Sequence, residues 1–105
     1  MAYRDEEAWA LFADRTRRAI FLRLAERPRA VVDLAADLPV SRPAVSQHLK
    51  VLKDGGLVVE HAVGTRRVYR LNEAGVAALR DQLENFWDRA LSGYQDVAEQ
   101  PEENQ

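Results

Sequence analysis

The segment Val40-Ser41-Arg42-Pro43-Ala44-Val45-Ser46-Gln47-His48-Leu49-Lys50-Val51-Leu52-Lys53 constrains this chain more than any other. Val45, Leu49 and Leu52 recur at i, i+4 and i+7, the spacing that lines one side of an α-helix with apolar groups. Arg42, Ser46, Gln47, Lys50 and Lys53 fall off that stripe. Ser41 supplies a cap, and Pro43 sits in the first turn, where a missing N–H costs nothing. A helix of this kind buries one side on its own domain and presents the other. The presented groups are short and polar or basic, suited to base edges and phosphates, so the helix is fit to enter the major groove of DNA.

Composition sets the frame. A length of 105 residues fits one domain, and 47% hydrophobic with 30% charged residues fills a core without losing solubility. We expect one domain over residues 1–95 and an acidic, disordered tail over 96–105. No run approaches the roughly 18 apolar residues of a membrane span. Met1 to Glu7 is acidic without an apolar signal core, so no secretory signal is expected. There is no cysteine, which removes disulfides and thiolate metal sites and fits a reducing cytoplasm. The net charge of −2 hides a strong asymmetry: residues 1–14 carry −3, residues 15–70 carry +7 and residues 71–105 carry −6. A basic centre between acidic ends suggests a nucleic-acid face, although an unevenly charged solvated surface reads the same way.

The remaining elements follow from periodicity and punctuation. Glu6 to Ala13 reads as a short helix. Asp14 caps a second helix from Thr16 to Arg27, with Ile20, Phe21 and Leu24 inward, and Pro28 stops it. Ala30 to Leu38 is a third, and Pro39-Val40 turns the chain into the fourth, which ends at Gly55-Gly56. Leu57 to Val63 and Arg66 to Leu71, around Gly64-Thr65, predict a β-hairpin. Asn72 caps a last helix from Glu73 to about Tyr94, whose apolar stripe includes Leu79, Leu83, Phe86, Trp87, Leu91 and Tyr94. The fold class is mainly α with a β-hairpin wing (α+β), in the order α-α-α-α-β-β-α: a winged helix-turn-helix. The alternative is a small α+β domain whose hairpin only closes the core.

At this point the residues carry a resemblance. Asp14 to Ile20, Asp33-Leu34-Ala35, Ser41 to Leu52, Gly55 with Leu57-Val58, and Gly64, Arg66, Tyr69 and Leu71 look like the ArsR/SmtB family of bacterial repressors. The match runs from about residue 8 to 92. It implies a bacterial homodimer, nucleoid-associated when bound, that binds a palindromic operator in double-stranded DNA and represses transcription, in some members that of its own gene; the residues themselves offer no catalytic constellation, so no enzyme is expected. One departure is Arg15, where many members have proline.

The residues themselves assign base readout to Ser46, Gln47 and His48. Ser41 and Arg42, with Pro43 and Ala44, form the helix start that reaches bases or phosphate. Lys50, Lys53, Arg66, Arg67 and Arg70 serve phosphates. Trp9, Phe12, Leu79, Leu83, Phe86, Trp87, Leu91 and Tyr94 are too many large apolar groups for a small monomer to cover, and form the expected dimer interface. Completion of a monomer core, an apolar effector at the dimer seam, and a protein-interaction module that has lost DNA binding stay open as other uses of this stripe.

No cofactor is expected. The family's metal sensors use cysteine pairs, or aspartate with histidine on the last helix, and neither is present. Of the two histidines, His48 belongs to the presented helix or its support and His61 to the wing, so no metal site is expected. Asp33 and Asp37 lie at i, i+4 as a catalytic pair might, but no nucleophile accompanies them. No effector can be named.

Overall fold

The computed structural model describes residues 11 and 13–99. Its elements are α1 (Arg15–Glu26), β1 (Arg29–Ala30), α2 (Val31–Asp37), α3 (Arg42–Asp54), β2 (Val58–Val63), β3 (Arg66–Leu71) and α4 (Glu73–Glu99). Most of the expected Glu6–Ala13 helix, with Trp9 and Phe12, lies outside the described residues. Leu11 and Ala13 are helical, and Leu11 is buried in the core.

Helix starts are chemical. The Asp14 carboxylate accepts from the Arg17 N–H at 3.0 Å, so the start of α1 is fixed by its cap and Arg15 opens the helix without a proline. Ser41 Oγ accepts from the Ala44 N–H at 3.3 Å and opens α3, with Pro43 in its first turn. The end of α3 is a Schellman motif. Leu57 N–H donates to the Leu52 carbonyl at 3.0 Å and Gly56 N–H to Lys53 at 2.9 Å, with Gly56 at φ +81°.

Ile20 and Leu24 of α1, Leu34 of α2, Val45, Leu49 and Leu52 of α3, and Leu57, Val58 and Leu79 form one core. Val45, Leu49 and Leu52 are wholly buried, as their spacing requires. Each contributes roughly 1.5–3 kcal/mol by leaving water.

The sheet is antiparallel with three strands in the order β1-β3-β2, one more than the hairpin expected. Val63 pairs with Arg66 across Gly64-Thr65, and Gly64 alone has positive φ (+63°), as a two-residue turn with glycine first demands. The added strand takes Ala30 from the expected third helix and pairs Arg29 with Tyr69 and Ala30 with Val68. Two residues carry no readable alternation, and they are a strand only because β3 offers them an edge.

Arg29 is buried, with 6% of its surface exposed. All three arms of its guanidinium are used: Nε donates to the Arg23 carbonyl (3.2 Å), one terminal nitrogen to Asp37 (3.0 Å) and the other to Glu26 (2.6 Å). Arg29 thereby ties the end of α1 to the end of α2, just before the turn into α3.

The last helix runs to Glu99, five residues past Tyr94 and into the stretch expected to be a disordered tail. Its start is locked to the end of α3. Asn72 Nδ2 donates to the Gly56 carbonyl at 2.9 Å, and the Asn72 N–H to the Leu57 carbonyl at 2.9 Å. Gly75 packs directly on that joint. A Cβ there would overlap the Gly56 carbonyl oxygen and lie 2.8 Å from its carbon. Gly75→Ala gains at most about 1 kcal/mol of helix propensity and forces a backbone shift costing about 1–3 kcal/mol. We expect a lower melting temperature in thermal denaturation; an unchanged or raised value would refute the tight joint.

Candidate nucleic-acid interface

The exposed side of α3 is a continuous stripe of Arg42, Pro43, Ser46, Gln47, Lys50 and Lys53. The buried side fixes its orientation, and the Ser41 cap fixes where it begins. Ala44 and His48 flank this stripe and are half-buried. His48 lies within electrostatic reach of Asp14, the α1 cap. The Asp14 carboxyl is held below its usual range, first by the Arg17 N–H and further by His48.

At the N-terminal end of the stripe the wing closes over the helix. Arg42, Pro43 and Ser46 of α3, Thr65, Arg66 and Arg67 of the wing, and Ala30, Val31 and Val32 at the start of α2 line one open groove of about 530 Å³. Five of the expected DNA contacts from two distant segments, Arg42, Pro43, Ser46, Arg66 and Arg67, therefore share one concavity. Lys50 and Lys53 lie further along α3, and Arg70 sits at the wing's base, opposite Val59. The wing histidine, His61, is exposed.

The cations are not loose. Arg66 pairs with Asp33 at 2.9 Å, Lys50 with Asp54 at 3.0 Å, and Glu60 takes both Lys53 at 2.6 Å and Arg67 at 3.4 Å. Among the described residues, Arg42 and Arg70 form no ion pair. The Glu60 carboxyl is held below its usual range, first by the Lys53 ammonium, then by the Tyr69 hydroxyl that donates to it. Tyr69 is pushed up by burial and by that same carboxylate.

Asp33 and Glu60 were not among the expected site residues. A signal for Glu60 existed: the Gly64-Thr65 turn fixes a register that sets Glu60 opposite Tyr69 and diagonal to Arg67. No local signal joins Asp33 to Arg66, 33 residues away. Asp33 also accepts from the Ala30 N–H at 3.4 Å, and Asp37 binds Arg29, so structural partners occupy both members of the i, i+4 carboxylate pair. Among the described residues no group of three or more acidic or histidine side chains is placed to hold a metal ion.

The apolar stripe of α4 divides. Leu79 is 7% exposed and belongs to the chain's own core, which corrects its place in the expected interface: it is too fully buried to offer area to a partner. Leu83 is half-buried against that core. Beyond it Phe86, Trp87, Leu91, Tyr94 and Val97 are exposed, Tyr94 by 74%. Phe86 and Trp87 meet edge to face, 5.5 Å between centroids.

A capped helix with a polar outer stripe, set behind a short helix and beside a basic two-stranded wing, defines a winged helix-turn-helix protein. Residues 12–61 match the model of a helix-turn-helix domain. The chain is 63% identical over 89 residues to the HTH-type transcriptional regulator Rv2034 of Mycobacterium tuberculosis, covering 85% of this chain and 83% of that one. It superposes on an ArsR-like transcriptional regulator from Rhodococcus sp. RHA1 with a TM-score of 0.73 at 33% identity, covering 92% of this chain and 94% of that one. For a homodimeric winged helix-turn-helix DNA-binding domain from Mycobacterium bovis the TM-score is 0.65 at 31% identity, with 84% and 82% covered. The chain belongs to the ArsR/SmtB family of winged helix-turn-helix transcriptional regulators, and it is a regulator, not an enzyme.

The Glu60 shift carries a sign. A carboxyl whose pKa is lowered by folding adds stability above its unfolded value, about 4.3, and loses it as pH falls through the folded value. Glu60→Gln should cost at most about 1 kcal/mol at neutral pH, because its partners are largely exposed. In urea titrations across pH the gap to wild type should narrow below about pH 4.5. A gap that does not change with pH would contradict the pairing.

Proposed function

We propose that this protein is a homodimeric repressor that binds a palindromic operator through α3 and the wing, in some settings that of its own gene. The observation that carries this reading is the groove where Arg42 and Ser46 of α3 face Arg66 and Arg67 of the wing. A duplex laid along α3 places base edges against Ser46 and Gln47 and a phosphate strand against the groove arginines. Helix 42–54 has the length and polarity that major-groove reading requires.

The dimer is supported by the exposed half of α4. Trp87, Leu91 and Tyr94 follow i, i+4, i+7 and form an exposed helical seam. Two copies joined there by a two-fold axis present two α3 helices, which read successive major grooves about one helical turn apart. The M. bovis neighbour, itself described as homodimeric, supports this arrangement.

Gel shift over a salt range on the DNA upstream of the gene tests the reading; absence of any salt-dependent shift would overturn it. Gln47→Ala should relax sequence preference by about 1–3 kcal/mol at one base position. Arg42→Ala should instead weaken binding to every duplex and reduce the salt slope by about one. Equal losses on matched and scrambled duplexes for Gln47→Ala would remove it from base readout. Light scattering of Trp87→Ala with Leu91→Ala should show a monomer at micromolar concentration, where wild type is a dimer; a dimer retained by the double variant would place the interface elsewhere.

A further inference from the structure

Four of the six cations expected to meet DNA are held by the protein's own carboxylates. Glu60 is the unusual member. It grips Lys53 at the end of α3 and Arg67 on the wing with separate oxygens, and its side chain is only 17% exposed. A carboxylate between two phosphate-binding cations repels DNA, so for affinity alone it is the wrong residue. It also joins the two elements that must engage one duplex together. Asp33 does the same at the wing's tip, where Arg66 is tied back to α2 at 2.9 Å.

We propose that Glu60 is a specificity-determining residue, assisted by Asp33: it fixes Lys53 and Arg67 in place and cancels their pull on arbitrary phosphates. On random DNA the backbone contacts must then be made in competition with an internal carboxylate. On the right sequence the base contacts of α3 supply the difference, and the cations are already positioned. Non-specific binding depends on charge released from phosphates, whereas specific binding adds contacts that Glu60 does not oppose. This inference rests on the DNA-binding reading above and adds how the site discriminates.

The experiment uses full-length protein, a duplex enriched by the wild type from a random pool, and a scrambled duplex of the same length. Affinities for both are measured by fluorescence anisotropy across salt. Glu60→Gln should bind the scrambled duplex about 3–10-fold more tightly at low salt, with a slope steeper by about one. Its affinity for the selected duplex should rise less or fall, so the ratio between the two drops. Asp33→Asn, which keeps an acceptor for the Ala30 N–H, should act in the same direction with smaller size, and it carries the test if Glu60→Gln is poorly folded by circular dichroism. An unchanged ratio in the folded variants, or unchanged affinity for the scrambled duplex, overturns the proposal. Wild-type protein that enriches no duplex and shows no salt-dependent binding overturns the DNA-binding reading instead, before any variant is examined.

Discussion

The burial of Val45, Leu49 and Leu52 against α1, α2 and the sheet is the constraint on which the molecule turns. A helix can roll about its axis unless one side is committed. Here three side chains on one side are wholly removed from water, and rolling α3 by even one residue would trade one of them for a lysine or glutamine at a cost of several kcal/mol. The apolar stripe thus determines the angle at which the polar stripe faces out. Short connections hold the two ends: the Ser41 cap after α2, and the Gly55-Gly56 turn into the wing.

Around that helix the structure uses charge as clamp and as brake. Arg29, buried with all its arms engaged, binds the ends of α1 and α2 together. Such a group is costly to bury and costly to lose, and it fixes the geometry of the turn that leads into α3. Lys53, Arg66 and Arg67 are pinned more loosely, by exposed or half-exposed pairs worth little in stability. Their pairing matters more for what the cations are prevented from doing than for the free energy of the fold.

Much of this was legible in the sequence, for physical reasons that differ by element. The helices announced themselves through caps and stops, Asp14, Ser41, Pro28 and Gly55-Gly56, which act over three or four residues and need no tertiary partner. The hairpin was readable because Gly64 tolerates the positive φ its turn needs. The extra strand, Arg29–Ala30, was not, because its hydrogen bonds come from β3, some 39 residues on. Arg29 itself reads as one more basic residue in a basic segment. Leu79 fitted the periodicity of an interface stripe, and periodicity gives a face without saying what covers it; the core covers Leu79 and leaves Trp87 bare. Of the site, the α3 stripe and wing arginines were visible as residue types, while the groove uniting Arg42 with Arg66 arises only when distant segments fold together.

The length of α4 has a consequence of its own. Its 27 residues span about 40 Å, yet only its first three turns rest on the domain. The remainder is a rod whose Trp87, Leu91, Tyr94 and Val97 are exposed. Isolated helical segments of that size are marginal in water, so this half of α4 draws its order from whatever lies against it. In the proposed dimer, ordering of this arm and association of two chains are one equilibrium, so dilution would loosen both.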